Sequence, residues 1–546
     1  MKKPNYNIRI AGFTLAVILG IMGLGFIPPF TMCGMEFIRV DILSELRAKD
    51  NLADIIEDYS PDFELLEQEI AVAEAQISDV DTIVELPPIR YEWIVGESPK
   101  QTTKRVRSED IAPRSSTIVA IEDFDTLAST RLDRFISKLA NGESVRIAFM
   151  GDSFIEGDIL TGDLRQELQS RFGGRGVGLV TADIPFTTVR KSVKRTSSGW
   201  KTYSVMKRKE APEVLRERFH VSGYLAEGGM GATTQWQATN AFASLDSCTT
   251  ARILFISRDT SRVEVTVCDT LSHEFIIAGD ERVREIYIEA PADNLRFKVL
   301  DGNIICYGAT MQSNSGVTVD NFSVRSNNGH AIFGTSAMVN RQIDEILGYD
   351  LVVLQYGLNI MQKEQRIYGK YRDQLCDMIA YAERCFPNAA IVVMGVSDRW
   401  IKNQESNSYE PIGSVDALTA YQRAAADSCK VAFWNTSRMM NMLGGMPTFV
   451  AKGWAAKDYT HINFVGGKHI AKALTEAITE RVYHKLCDIE ESERIEAERL
   501  REAELQRRRE AEERLNRQIN AVAPIIDSIE WQIGETEEQQ TTNTEE

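Results

Sequence analysis

The spacing of apolar positions changes along the chain, and each change marks a different kind of element. Val145, Ile147, Ala148, Phe149 and Met150 form an apolar run that stops at Gly151-Asp152-Ser153 and gives way to helical spacing over 159–172. That is the pattern of a buried strand entering a helix through a tight turn. A short helical pattern over 124–139 leads into it, and a polar loop at 325–330 follows another strand beginning at Val317. The pattern repeats with strands over 350–360 and 389–396, a helix over 371–386 between them, and a further helix over 465–485. Strands alternating with helices at this spacing predict a parallel sheet in a three-layer α/β/α domain, split into 116–193 and 317–485.

Between those halves the rhythm shortens. Runs over 219–225, 233–241, 252–256, 263–268, 274–278, 286–289, 295–299 and 304–309 are separated by Gly, Asp, Asn and Ser. They predict a β-sandwich inserted over 194–316. Trp200, Tyr224 and Trp236 lie within it, either as contacts for a sugar or as core rings, the commoner fate of such side chains. The glycines at 173, 174, 176 and 178 invite a phosphate-loop reading, but no Gly-Lys-Ser/Thr follows them. A tightly turning or mobile loop near the site is expected there instead.

Outside the α/β blocks the pattern is simpler. Residues 10–30 carry no charge and are long enough to cross a bilayer as a helix; Lys2, Lys3 and Arg9 precede them within the short segment 1–9. The positive-inside rule then keeps residues 1–9 in the cytoplasm and exports the remainder as a single-pass anchored protein; a cleaved signal peptide is the rival reading, against which stand the length of the run and the lack of a clear A-x-A site. From 31 to 115 acidic helical patches alternate with breaks at Pro61, Pro87, Pro88 and Pro113, which reads as a stem. Residues 486–522 are rich in Glu and Arg at helical pair spacings and predict a long charged helix, solvated or paired with itself or another protein. The acidic, Gln- and Thr-rich residues 523–546 are expected to be a disordered tail.

Charge and cysteine content narrow the partners. With 62 basic and 79 acidic residues, the net charge of −17 argues against a general nucleic-acid binder. The 8 cysteines lack the close pairs of a structural zinc site. In an exported compartment Cys248, Cys268 or Cys306 are free to pair, and buried free thiols are the equal alternative.

The chemistry begins at Ser153, placed by the pattern at the carboxyl end of a strand, where ligands bind in open α/β sheets and the next helix favours negative charge. Gly-Asp-Ser also occurs in ordinary turns as a helix cap, so a nucleophile there needs a base and oxyanion donors. Asp458 and His461 stand three residues apart, a spacing that lets a carboxylate fix the imidazole tautomer that accepts a serine proton. The same spacing also occurs as a helix cap beside a solvated histidine. His330, His469 and His484 have no Asp at that spacing before them.

Taken in order, Gly151-Asp152-Ser153, Arg325-Ser-Asn-Asn-Gly329, Gly357-Leu-Asn359 and Asp458-Tyr-Thr-His461 resemble the four blocks of the SGNH/GDSL hydrolase family. The resemblance implies Ser153 as nucleophile, His461 as general base and Asp458 as its orienter. It implies an oxyanion hole from the Ser153 N–H, the Gly329 N–H and the Asn359 side-chain amide, with no metal or organic cofactor. Two departures stand out: Ser326 occupies the first glycine of the second block, and Ile360 the final acid of the third. An anchored head with a β insertion between the first and second blocks looks like bacterial envelope enzymes that add or remove O-acetyl groups on peptidoglycan or other polysaccharides. Three readings follow: an ester hydrolase, an acetyltransferase of the same fold, and a non-catalytic envelope scaffold.

Overall fold

The computed structural model describes residues 30–32, 35–37, 86–96, 105–113, 117–127, 129–186, 190–243, 245–363, 365–403 and 405–541. The chain divides into two units, Met1–Ile83 and Val84–Glu546. In the first, Phe30–Met32 pairs antiparallel with Met35–Phe37. The membrane span expected over 10–30 lies outside the described residues apart from Phe30. Among the described residues no helix is long and apolar enough to cross a membrane.

The second unit is built on a parallel sheet. Its strands run in the order Val317–Ser323, Val145–Gly151, Leu351–Gln355, Ala390–Met394 and Ala432–Trp434, closed by the antiparallel pair Glu122–Asp123. Every position of Val145–Gly151, Leu351–Gln355 and Ala390–Met394 is buried, which requires cover on both faces of the sheet. One helix group, Arg131–Ala140, Thr161–Phe172 and the start of Phe464–Thr541, packs together; Ala337–Leu347, Gly369–Cys385 and Val415–Ser428 form another. The register sets Gly151 opposite both Ser323 and Gln355, so the loops that follow these strands leave from one edge. That edge carries the candidate chemistry.

The insertion is a sandwich of two sheets around one apolar core that includes Val177, Trp236, Phe255, Ile286 and Phe297. Two strands expected elsewhere belong to it. Ile89–Ile94, within the stretch read as a stem, pairs in parallel with Val283–Glu289, turning Ile89, Tyr91 and Trp93 inward while Arg90 and Glu92 stay exposed. The glycine-rich stretch is likewise a strand rather than a mobile loop: Gly176–Thr181 pairs antiparallel with Ile304–Gln312, and a side chain at Gly176 would fall 2.2 Å from the Met311 carbonyl. Trp236 is fully buried with its indole N–H on the Thr181 carbonyl, and the Trp200 ring stacks on Phe297, so both serve the core.

A buried ion pair ties the insertion to the sheet. Arg146 donates to Asp320 at 2.7 and 3.1 Å, Tyr349 Oη donates to the same carboxylate at 2.6 Å, and so does the Leu179 N–H at 2.6 Å. With both partners present the charges are satisfied; removing one strands the other in the core.

The pairing considered for Cys248, Cys268 and Cys306 does not form: the seven described cysteines are free, and these three thiols turn to the carbonyls of Leu245, Pro291 and Leu254. At the carboxyl end, the helices expected over 465–485 and 486–522 are one, Phe464–Thr541, which continues through most of the tail expected to be disordered. Glu, Gln and Arg are good helix formers as well as strong solvators, so composition alone did not separate a solvated helix from a disordered tail.

Candidate active site

Ser153 opens the tight turn Ser153–Asp158 directly after the strand Val145–Gly151. Asp152 caps that turn, its Oδ1 accepting from the Phe154 N–H at 2.9 Å and its carbonyl from the Ile155 N–H at 3.4 Å. The turn is pinned from the neighbouring strand, where Ser323 Oγ donates to the Asp152 carbonyl at 2.9 Å. The hydroxyl of Ser153 therefore stands on a rigid sheet edge.

His461 arrives from the other end of the chain. Asp458 folds its loop: Oδ1 accepts from the N–H groups of Thr460 and His461 at 3.0 and 3.1 Å, and Tyr459 takes a left-handed backbone at φ 57°. The other oxygen, Oδ2, lies 2.6 Å from His461 Nδ1, while His461 Nε2 lies 3.4 Å from Ser153 Oγ. Partial burial raises the Asp458 carboxyl, but the hydrogen bond and charge of His461 and the two backbone donors outweigh it and hold it down at about 2. Asp458 is thus ionised at neutral pH and fixes the proton on Nδ1, which leaves Nε2 as the acceptor facing the serine.

A glycine allows the two parts to meet. The long helix begins shortly after His461, capped by Asn463, whose Oδ1 accepts from the Val465 and Gly466 N–H groups at 3.0 and 3.2 Å. At Gly467 a Cβ would stand 1.9 Å from the Ile159 carbonyl, next to the end of the serine's turn. Only glycine permits that approach.

The remaining expected residues gather at the same edge, but with their donors in use. Asn359 Nδ2 donates to Asp152 Oδ2 and to the Asn327 carbonyl, both at 3.0 Å. Gly329, at φ 106°, donates its N–H to Asn327 Oδ1 at 2.8 Å, and a side chain there would collide with Met378. As an oxyanion donor Gly329 needs Asn327 to let go. Ser326 holds a left-handed backbone at φ 56°, at a cost on the order of 1 kcal/mol, where the resembling block has a glycine.

Three neighbours escaped the sequence reading. Asp152 read only as a cap, yet it is fully buried and grips Asn359; burial pushes its carboxyl up to about 7 against the pull of the Phe154 N–H, the His461 charge and the Asn359 amide. Asn327, inside the second block, links Gly329 to Asn359. Arg399 donates to the Leu358 carbonyl at 3.1 Å; burial lowers its guanidinium while the charge of Asp458 opposes this. No local spacing in the sequence marks Arg399.

No protein-family profile and no curated protein sequence matches this chain. Among solved structures, a peptidoglycan O-acetylesterase is similar over 66% of this chain and 99% of its own, with 20% identity and a TM-score of 0.55. A GDSL-like lipase from Parabacteroides merdae (16% identity, 30% of this chain and 73% of its own, TM-score 0.23) also matches. So does a family two carbohydrate esterase from Cellvibrio japonicus (10% identity, 53% and 98%, TM-score 0.22). At such scores these two carry no weight. The first likeness shows that this chain, with its parallel sheet and the four blocks along one edge, shares the fold of that O-acetylesterase.

Proposed function

We propose that the protein is a serine esterase that removes O-acetyl or similar small acyl groups from a cell-envelope polysaccharide or peptidoglycan. The observation that carries this reading is the relay itself, with Ser153 Oγ 3.4 Å from His461 Nε2 and Nδ1 2.6 Å from Asp458. The first distance is long for a hydrogen bond, as is usual before substrate tightens a site.

In this reading His461 takes the Ser153 proton as Oγ attacks the ester carbonyl. Charge on the carbonyl oxygen is met by the N–H groups of Ser153 and Gly329 and by the Asn359 amide, each donor worth a few kcal/mol when correctly placed. Asn327 and Asp152 release Gly329 and Asn359 as the oxyanion forms. His461 then gives that proton to the departing sugar oxygen, which leaves as a hydroxyl, and water, deprotonated by His461, attacks the acyl-serine to release the carboxylic acid and restore Ser153. The polymer is proposed from the likeness to a peptidoglycan O-acetylesterase and from the order of the blocks around the insertion. The location proposed with it, anchored by residues 10–30 with the catalytic unit outside the cytoplasm, rests on the uncharged run and the basic residues before it.

Acetate release from O-acetylated peptidoglycan by the full chain, with and without an added sugar acceptor, tests this function. The expected result is acetate in both cases and none from Ser153→Ala. Acetyl-sugar formed at the expense of acetate would make the protein a transferase, and no reaction in either case would leave a scaffold.

A further inference from the structure

The hydrogen bonds of the Asp458 carboxylate shape the histidine turn, but they stay within residues 458–461 and so do not set where the turn lies. The seating of the helix at Gly467 is one outside constraint, and a hairpin supplies another. Beyond the strand Ala390–Met394 the chain forms a small antiparallel pair, Trp400–Lys402 with Tyr409–Pro411. Tyr409 lays its ring on that of Tyr459, with centroids 3.9 Å apart and planes within 17° of parallel, and its hydroxyl donates to the Lys457 carbonyl at 3.0 Å. The Trp400 N–H donates to the Tyr459 carbonyl at 3.1 Å. Three contacts from one hairpin thus fall on residues 457 and 459, on either side of Asp458.

The hairpin is itself fastened at its root. Arg399, next to Trp400, donates to the Leu358 carbonyl at 3.1 Å, one residue before Asn359, and the Ile412 N–H donates to the Arg399 carbonyl at 3.1 Å. Lys363 adds an exposed pair with Glu410 at 3.0 Å, a minor contribution. The turn that the hairpin grips also needs holding. Tyr459 takes a left-handed backbone at φ 57°, which is unfavourable for a bulky side chain. Glycine would adopt it freely but would offer Tyr409 no ring.

We propose that Tyr409 is a positioning residue for the general base: by clasping the Tyr459 ring and the Lys457 carbonyl it holds His461 Nε2 towards Ser153 Oγ. The proposal rests on the esterase reading for its effect on turnover and on these contacts alone for its effect on the turn. Without the ring, Tyr459 is free to relax from its left-handed backbone, and Nε2 moves off a hydroxyl that already stands 3.4 Å away. Tyr409 acts through the base, so its loss falls on kcat rather than on KM.

The test uses the full chain, 4-nitrophenyl acetate as substrate and a fluorophosphonate as probe of Ser153. Tyr409→Ala is expected to lower kcat and the labelling rate by roughly tenfold each, with KM nearly unchanged. In a His461→Ala background the same substitution should leave labelling unchanged, because a residue that acts through His461 then has nothing to act on. Tyr409→Phe, which keeps the ring and loses only the bond to the Lys457 carbonyl, should restore most of the rate. Tyr409→Leu serves if Tyr409→Ala does not fold. Wild-type kcat in the variant, a loss confined to KM, or an equal loss of labelling with and without His461 overturns the proposal. If neither ester nor probe reacts with the wild type, the esterase reading fails, and hydrogen exchange over residues 457–463 decides the placement: faster exchange in Tyr409→Ala supports the clasp, and unchanged exchange refutes it.

Discussion

The serine and the histidine reach one another from different kinds of ground. Ser153 stands at the end of a fully buried strand and beside Asp152, which is 0% exposed. His461 stands on a short loop that Asp458 folds about itself, with the Asp458 and His461 side chains 45% and 37% exposed. One side is fixed by the sheet, the other by a local turn and by the seating of a helix. The contrast teaches that the relay depends on two separate devices, and that each can be broken without disturbing the other.

Ser153→Ala should produce the largest effect, a loss of about 10⁴-fold or more in acetate release with thermal stability nearly unchanged, because the hydroxyl is not part of the core. His461→Ala should match it. Asp458→Asn should cost as much or less, roughly 10²- to 10⁴-fold, since the base survives but loses the partner that sets its tautomer. Full activity in the His461 variant would require another base.

Gly467→Val attacks the seating rather than the chemistry. Because a Cβ on residue 467 would stand 1.9 Å from the Ile159 carbonyl, the helix start must shift away from the serine's turn. A displacement of about 1 Å is expected to lower kcat/KM by roughly 10²-fold. Equal turnover in this variant would show that the histidine loop positions itself without the helix.

The two aspartates sharpen the comparison through pH. Burial raises Asp152 to about 7, above its unfolded value, so the folded state holds that proton longer and stability is lost as pH rises from about 4 towards 7. Asp152→Asn should therefore gain stability relative to wild type between pH 5 and pH 8, by on the order of a few kcal/mol at most, as read from denaturant unfolding. Asp458 carries the opposite sign: held at about 2, its contribution is present at neutral pH and is lost as pH falls from about 4 through that value. An identical pH profile for Asp152→Asn and wild type would mean that the carboxyl is not held protonated by its surroundings.

Much of this edge was legible because its determinants are local. An apolar run stopping at Gly151-Asp152-Ser153 carries its own strand and turn, and Asp458 reaches His461 within one turn of chain. The insertion was legible from short runs for the same reason. What escaped depends on contacts distant in sequence. Ile89–Ile94 becomes a sandwich strand only because Val283–Glu289 offers it an edge. The need for glycine at 467 appears only once Ile159 lies against it, and Asn359 is tied up by Asp152 and Asn327 from two other loops. The strand Ala432–Trp434 and the helix Val415–Ser428 were also missed, the strand being just three residues long and thus below what a periodic pattern can mark.

The most direct test of the relay is to label the full chain with a serine-reactive fluorophosphonate and locate the adduct by peptide mass mapping. The account predicts a single modified position, Ser153, labelled fast in wild type and slowly in His461→Ala. An adduct elsewhere, or undiminished labelling in Ser153→Ala, would contradict it.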